Sequence, residues 1–314
     1  MDYIPHPNRS FLPQFERYEP VVQDSTAMKL LKRCDRKYFY RIVLGKTVKN
    51  NYNQIILDAG SIYHKYREFL EIFYKEGKDF ETCLAEATKI ALQYKELKPQ
   101  STGKWQYVDQ VLMLKSFAYA FKHWVKQKES GTTKVIGNEQ FWNCQLPDGT
   151  LIGGRNDQLW KQNGLLWIPD FKFTSQDKTQ FDKSVEPNDQ ATRYLYGAQK
   201  LHGPDVQGVI FECLSHQKAK DPTIFVSPTQ RTKSQLLLWE KEQIQLNEQL
   251  ALNRKNDIWP MRELNGSYDN KGCSWCEYVT ICRRPSETSM AAVLRSDYKT
   301  SPWNCMTTEQ MDID

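Results

Sequence analysis

The stretch "GGRNDQLWKQNGLLWIPDFKFT", residues 153–174, sets two acids, Asp157 and Asp170, and a lysine, Lys172, among apolar and aromatic residues. Asn163-Gly164 stands between two β-compatible runs. Both central positions of a tight hairpin turn need positive φ, which Asn and Gly adopt with little strain. With those residues as the turn, antiparallel partners have numbers that sum to 327, and Asp157 and Asp170 are such a pair. Their Cβ atoms then stand about 5 Å apart. Side chains alternate along a strand, so Lys172 shares the face of Asp170. Leu165, Trp167 and Phe171 take the other face, toward a core.

Facing carboxylates repel and need compensation. A divalent cation supplies it, and oxygen ligands suit Mg²⁺ or Mn²⁺. Lys172 adds positive charge and a group that positions or activates a water. These are the parts of metal-assisted phosphodiester hydrolysis. A lone D-x-K is more often a solvated hairpin; the matched register alone leaves both readings open.

The 314 residues suffice for one large domain or two small ones, and 39% apolar with 26% charged residues is an ordinary globular balance. No apolar run nears the roughly 20 residues of a membrane span. The start "MDYIPHPNRS" lacks a signal peptide's apolar core and a presequence's Arg-rich pattern, so the expected location is the cytoplasm, with no membrane partner. Net charge is +5, and residues 28–49 hold eight bases and one acid. On a helix, Lys29, Arg33, Arg36 or Lys37, and Tyr40 form a basic stripe with an aromatic end, suited to phosphate contact and base stacking or simply to water.

Residues 1–24 read as an irregular, Pro-rich segment, and Ser25 as the N-cap of a helix to about Tyr40. Three helices follow over about 60–130. Strands are expected at 134–146, 150–160 and 165–173, then a helix at 189–201 and a strand at 206–214. A long helix spans 229–255, with Ser227-Pro228 as its start signal. The tail, 286–314, lacks periodicity and reads as loosely ordered. The class is α/β or mixed α+β.

Of eight cysteines, Cys83, Cys144 and Cys213 lie in apolar contexts and read as core, and Cys305 lies in the tail. Cys273-x2-Cys276-x5-Cys282 differs, because three thiols within ten residues suit zinc or an iron–sulfur cluster. A fourth ligand is missing there; Cys34 is the remaining candidate, 239 residues away.

Together these pieces resemble the RecB-type branch of the PD-(D/E)XK nucleases, and within it the iron–sulfur members such as CRISPR-associated exonucleases and AddB-type nucleases. The motifs fall in that family's order over roughly residues 25–285: "STAMKLLKRCDRKYFY", "GSIYH", "GRND", "DFK", "QATRY" and "CSWCEYVTIC". The resemblance implies a restriction-endonuclease-like α/β fold, a mixed central sheet flanked by helices. A helical insertion would occupy about 60–130, the catalytic sheet about 134–215 and a cluster-binding part 257–285. It implies a [4Fe–4S] cluster on Cys34, Cys273, Cys276 and Cys282 that joins the N- and C-terminal segments. It implies Mg²⁺ or Mn²⁺ on Asp157, Asp170 and the Phe171 carbonyl, with His64 as a further ligand and Glu139 as an accessory acid. Lys172 would orient the attacking water, while Gln190 and Tyr194 would present one helix face to the DNA backbone. The expected activity is exonuclease cleavage of single-stranded or end-bearing DNA in recombination, repair, replication or CRISPR adaptation. No Walker motif is present, so a helicase would be a separate partner. The competing expectation is a catalytically silent nucleic-acid-binding scaffold.

Overall fold

The structure is a computed structural model that describes residues 11–18, 20–49, 54–98, 105–218, 220–262, 273 and 276–304. In chain order the elements are α1 (Ser25–Arg33), α2 (Asp35–Tyr38), a π-helical turn (Phe39–Val43), β1 (Lys46–Val48), α3 (Gln54–Lys75), α4 (Phe80–Tyr94), α5 (Gln110–Glu129), β2 (Thr133–Gln145), β3 (Leu151–Gln162), β4 (Leu165–Thr174), α6 (Lys178–Val185), α7 (Asp189–His202), β5 (Val206–Ser215), β6 (Thr223–Thr229), α8 (Lys233–Asn256), α9 (Val279–Cys282), α10 (Glu287–Asp297) and β7 (Tyr298–Thr300). They divide into two compact units. One draws on residues 52–142 and 155–232, the other on 1–51, 143–154 and 233–314.

The first unit is built on a five-stranded sheet of order β2-β3-β4-β5-β6. β3 and β4 pair antiparallel, β4 and β5 parallel, and β5 and β6 antiparallel, so the sheet is mixed and flanked by helices. A parallel pair requires a crossover, and α6 with α7 provides it. The hairpin forms as its sequence dictates. Asn163 (φ 52°) and Gly164 (φ 84°) are both left-handed. Trp160 pairs with Trp167, Lys161 with Leu166 and Gln162 with Leu165, the register read from the turn. Phe171 is buried as expected, but Leu165, beside the turn, is 41% exposed rather than in the core.

Three helices occupy the expected helical stretch. Ile55, Ala59, Ile62, Tyr63, Tyr66 and Leu70 make a buried stripe on α3 at helical spacing. Cys83, Ala87 and Ala91 of α4 and Met113, Phe117, Ala120 and Trp124 of α5 share one core with Trp160 and Phe171 of the sheet. Asp79 and Asp109 cap α4 and α5 by accepting the Thr82 and Leu112 amides. β6 and α6 are additions to the sequence reading. Ser227-Pro228 lies in β6 and does not start the long helix, which begins at Lys233. Pro228 is tolerated because β6 is an edge strand, where a missing N–H breaks no inner ladder.

The second unit departs further from expectation. The helix expected from Ser25 to Tyr40 breaks at Cys34, which is extended (φ −168°, ψ 122°). Within the tail, residues 287–300 carry regular structure. Ser286 caps α10 in a capping box, Met290, Ala291, Val293 and Leu294 are buried, and β7 pairs antiparallel with β1. Mostly short apolar residues and one capping serine hide this helix from a periodicity reading. Buried Asp35 accepts from Arg262 Nε (2.6 Å) and Asn253 Nδ2 (3.0 Å), and Asp257 from Arg17, Trp259 and the Phe11 amide. Cys305 and residues 263–272 lie outside the described residues.

α7 is seated by a missing side chain: a Cβ on Gly197 would lie 2.3 Å from the Trp142 ring. Gly197→Ala should therefore destabilise the protein by about 1–3 kcal/mol, the cost of overpacking, as measured by denaturant melts. An unchanged or raised midpoint would show that Trp142 yields freely.

Candidate active site

Four elements of the sheet unit converge on one cluster. α3 brings His64, β2 Glu139, β3 Asp157, and β4 Asp170, Phe171 and Lys172. Asp157 is buried. Its Oδ2 accepts the Phe171 N–H at 2.7 Å across the hairpin and lies 3.2 Å from His64 Nδ1. Asp170 is 1% exposed, and its Oδ2 lies 2.6 Å from Lys172 Nζ. Lys172 Nζ also donates to Gln190 Oε1 (3.2 Å), and Gln190 Nε2 donates to the Tyr194 hydroxyl (2.8 Å). Gln190 and Tyr194 are one turn apart on α7, so a single helix face carries both. That face was expected to meet a DNA backbone. Instead Tyr194 is buried, with its ring edge-on to Trp142, and the pair holds Lys172.

The electrostatics follow from burial and proximity. Burial drives Asp157 upward, but the His64 charge and hydrogen bond, Lys172 and the Phe171 amide outweigh it and hold the carboxyl below its ordinary range. Burial and the charge of Asp157 raise Asp170 despite Lys172. Burial works to lower Lys172 and His64, yet the neighbouring carboxylates leave both raised. Burial and Asp157 together push Glu139 up to about 7 against the pull of Arg155 and His64.

Ligand atoms of His64, Glu139 and Asp157 all lie within 4.8 Å of one another. A cation about 2.1 Å from each ligand separates trans ligands by about 4.2 Å, so these three side chains fit one ion with little movement. Asp170, occupied by Lys172, stands outside that trio. Glu139, expected as an accessory acid, stands in this trio with His64 and Asp157. Glu139 owes its aim to a left-handed backbone (φ 49°) within β2. Its ion pair with Arg155 (2.9 Å) has no signature in the sequence. Another surprise lies beneath. Arg67 and Glu212, both buried, pair at 3.1 Å, with the guanidinium 4.4 Å from the Phe171 ring centre. The signal for it was a lone acid inside the apolar strand "VIFECL".

A family model described as "PD-(D/E)XK nuclease superfamily" matches residues 25–283. The chain belongs to the PD-(D/E)XK nuclease superfamily. Cleavage of nucleic acid with divalent metal is the family's activity, and the His-Glu-Asp trio beside Asp170 and Lys172 is a group of side chains that could hold such an ion. Among solved structures, a candidate exonuclease from Eubacterium rectale shares 13% identity, over 86% of this chain and 93% of that one, with a TM-score of 0.44. The protein SSO0001 shares 12%, over 82% and 96%, with a TM-score of 0.29. No curated protein matches the chain. Among the described residues no helix is long and apolar enough to cross a membrane.

The remaining expected residues sit in the second unit. Lys29 and Arg33 are exposed. Arg36 Nε is bound to the Trp259 carbonyl (2.8 Å), and Lys37 is paired with Glu277 (3.1 Å). Tyr40 is fully buried and cannot stack a base. The break at Cys34 also turns the continuous stripe into two short pieces. Cys34 is buried, while Cys273, Cys276 and Cys282 are partly so. Burial chiefly raises the Cys276 thiol, and burial pushes Cys282 up to about 11. Charges of Cys34, and for Cys282 also of Cys276 and Cys273, add to the rise. These thiols are electrostatic neighbours, although no three of them come within 4.8 Å of one another among the described residues.

A ligand must shed its proton before it binds a cation. Because Glu139 is pushed up to about 7 and His64 is also raised, Mn²⁺ affinity measured by calorimetry should rise as pH climbs through neutrality, and Glu139→Gln should make the rise shallower. A wild-type profile without that inflection contradicts the assignment.

Proposed function

We propose that the protein is a metal-dependent deoxyribonuclease, an exonuclease acting on single-stranded or end-bearing DNA. The observation that carries this reading is the adjacency of a metal-sized trio, His64, Glu139 and Asp157, to the Asp170–Lys172–Gln190 chain. The donor set, two carboxylates and an imidazole, suits Mn²⁺ or Mg²⁺. When bound, such a cation neutralises phosphate charge and acidifies a water. Asp157, anchored by the Phe171 amide and His64, keeps its charge at neutral pH and offers it to the site. Asp170 joins from the opposite strand and fixes the Lys172 ammonium. Lys172, kept charged by both acids, orients the attacking water and stabilises negative charge building on the phosphorane-like transition state. Gln190, itself braced by the Tyr194 hydroxyl, holds Lys172 in place. An intact Asp-Asp-Lys set with a dedicated brace favours catalysis over a silent scaffold.

Cys34, Cys273, Cys276 and Cys282 supply four thiolates, the complement of a [4Fe–4S] cluster. Four thiolates also suit a structural zinc site, and the metal content of the purified protein separates the two. The cellular role we assign is DNA recombination, repair, replication or CRISPR adaptation in the cytoplasm, alongside a separate helicase or another DNA-processing protein.

End-labelled single- and double-stranded DNA incubated with Mg²⁺ or Mn²⁺ tests the activity. Wild type should shorten labelled strands from their ends. Asp170→Asn and Lys172→Met should lower the rate by about 10²–10³-fold, the usual loss of one transition-state stabiliser, with melting profiles near wild type. Equal degradation by all three proteins would assign the activity elsewhere. Protein purified without oxygen should be brown and contain iron and sulfide, and Cys276→Ser should bleach it; colourless protein with stoichiometric zinc would retire the cluster and leave the nuclease.

A further inference from the structure

We infer that Arg155 is a phosphate-binding residue of this site, held in reserve by Glu139 until that carboxylate is taken up by a cation. On the nuclease reading above, this gives the substrate backbone a partner whose availability depends on metal loading.

Arg155 and Asp157 are two apart on β3, so their side chains leave the same face about 7 Å apart along the strand. Arg155 Nε lies 2.9 Å from Glu139 Oε2. The same Glu139 carboxylate belongs to the trio within 4.8 Å of His64 and Asp157. One carboxylate therefore has two cationic claimants. A divalent ion carries twice the charge of a guanidinium and takes carboxylate oxygens at shorter range, so it is the stronger of the two.

The guanidinium is lightly committed. Its pair with Glu139 runs from Nε, and among the described residues no hydrogen bond engages Nη1 or Nη2. The side chain is 29% exposed and its guanidinium carbon lies 5.7 Å from the Phe141 ring centre. An open fork of this kind matches two phosphate oxygens at once, which a lysine ammonium cannot do. The acid that restrains it sits at φ 49°, a left-handed conformation that strains a residue with a side chain. Strain of this sort collects where a side chain must be aimed. An ordinary surface pair has no need of it.

The test reads DNA binding, not cleavage. Fluorescence anisotropy of a fluorescein-labelled oligothymidylate is followed with full-length protein in EDTA and in Ca²⁺, with gels run alongside to confirm an intact probe. Wild type should bind more tightly in Ca²⁺. Arg155→Ala should lose about tenfold in affinity in Ca²⁺, a typical value for one charge-assisted contact, and almost nothing in EDTA. Its plot of log affinity against log salt in Ca²⁺ should flatten by about 0.7, one single-strand phosphate contact. Glu139→Gln, which releases Arg155 without a cation, should bind more tightly than wild type in EDTA. Arg155→Ala that weakens binding equally in both conditions, or in neither, overturns the role. Wild type that fails to bind in Ca²⁺ overturns it together with the nuclease reading, an outcome separable because no variant is needed to see it.

Discussion

One carboxylate organises the sheet unit. Asp157 Oδ2 takes the Phe171 N–H across the hairpin and lies within reach of His64 on α3. Through this one group two strands and a helix meet, and a peptide donor on the catalytic strand is satisfied by a side chain instead of a neighbouring backbone. Hydrogen bonds to a charged acceptor are worth about 1.5–3 kcal/mol, which helps to keep Asp157 ionised despite its burial. The rest of the site adjusts to that fixed charge. Glu139 and Asp170 are both raised by it, as are His64 and Lys172, and Arg155 pairs with Glu139. Without a cation the cluster balances three acids against three bases. Such a balance is readily rearranged by a stronger positive charge.

What lies behind β4 makes that arrangement stiff. Arg67 and Glu212 pair at 3.1 Å with no exposure, and His123 reaches the same carboxylate at 3.4 Å. The Arg67 guanidinium lies against the Phe171 ring. Leaving one partner of a buried pair alone costs about 3–5 kcal/mol, so the residue between Asp170 and Lys172 rests on a support with few alternative positions. On the opposite side, Gly197 admits Trp142 and so seats α7, from which Gln190 reaches Lys172. Both faces of the catalytic strand are therefore braced.

The hairpin was legible because its two turn residues fix its register, and the register pairs Asp157 with Asp170 by arithmetic. Lys172 came from strand alternation beside Asp170, and His64, Gln190 and Tyr194 from motif order; the structure brings all four to one place. Their roles were less legible. The resemblance turned Gln190 and Tyr194 toward DNA, but only packing shows that Tyr194 is buried and that Gln190 bonds Lys172. Glu139 depends on a backbone conformation that no side-chain pattern announces. The stripe ending at Tyr40 failed for a related reason: helical periodicity assumes an unbroken helix, and Cys34 is extended. The tail was missed because α10 is short and its buried residues include small ones, so it carries no long apolar stripe.

The central claim is that His64, Glu139 and Asp157 together hold the divalent cation. Its most direct test is an anomalous difference map from a manganese-soaked crystal. The account predicts one strong peak bonded to His64 Nδ1 and to an oxygen of each acid. A peak on Asp170 with Lys172 displaced and His64 remote, or no peak in this cluster, would contradict it.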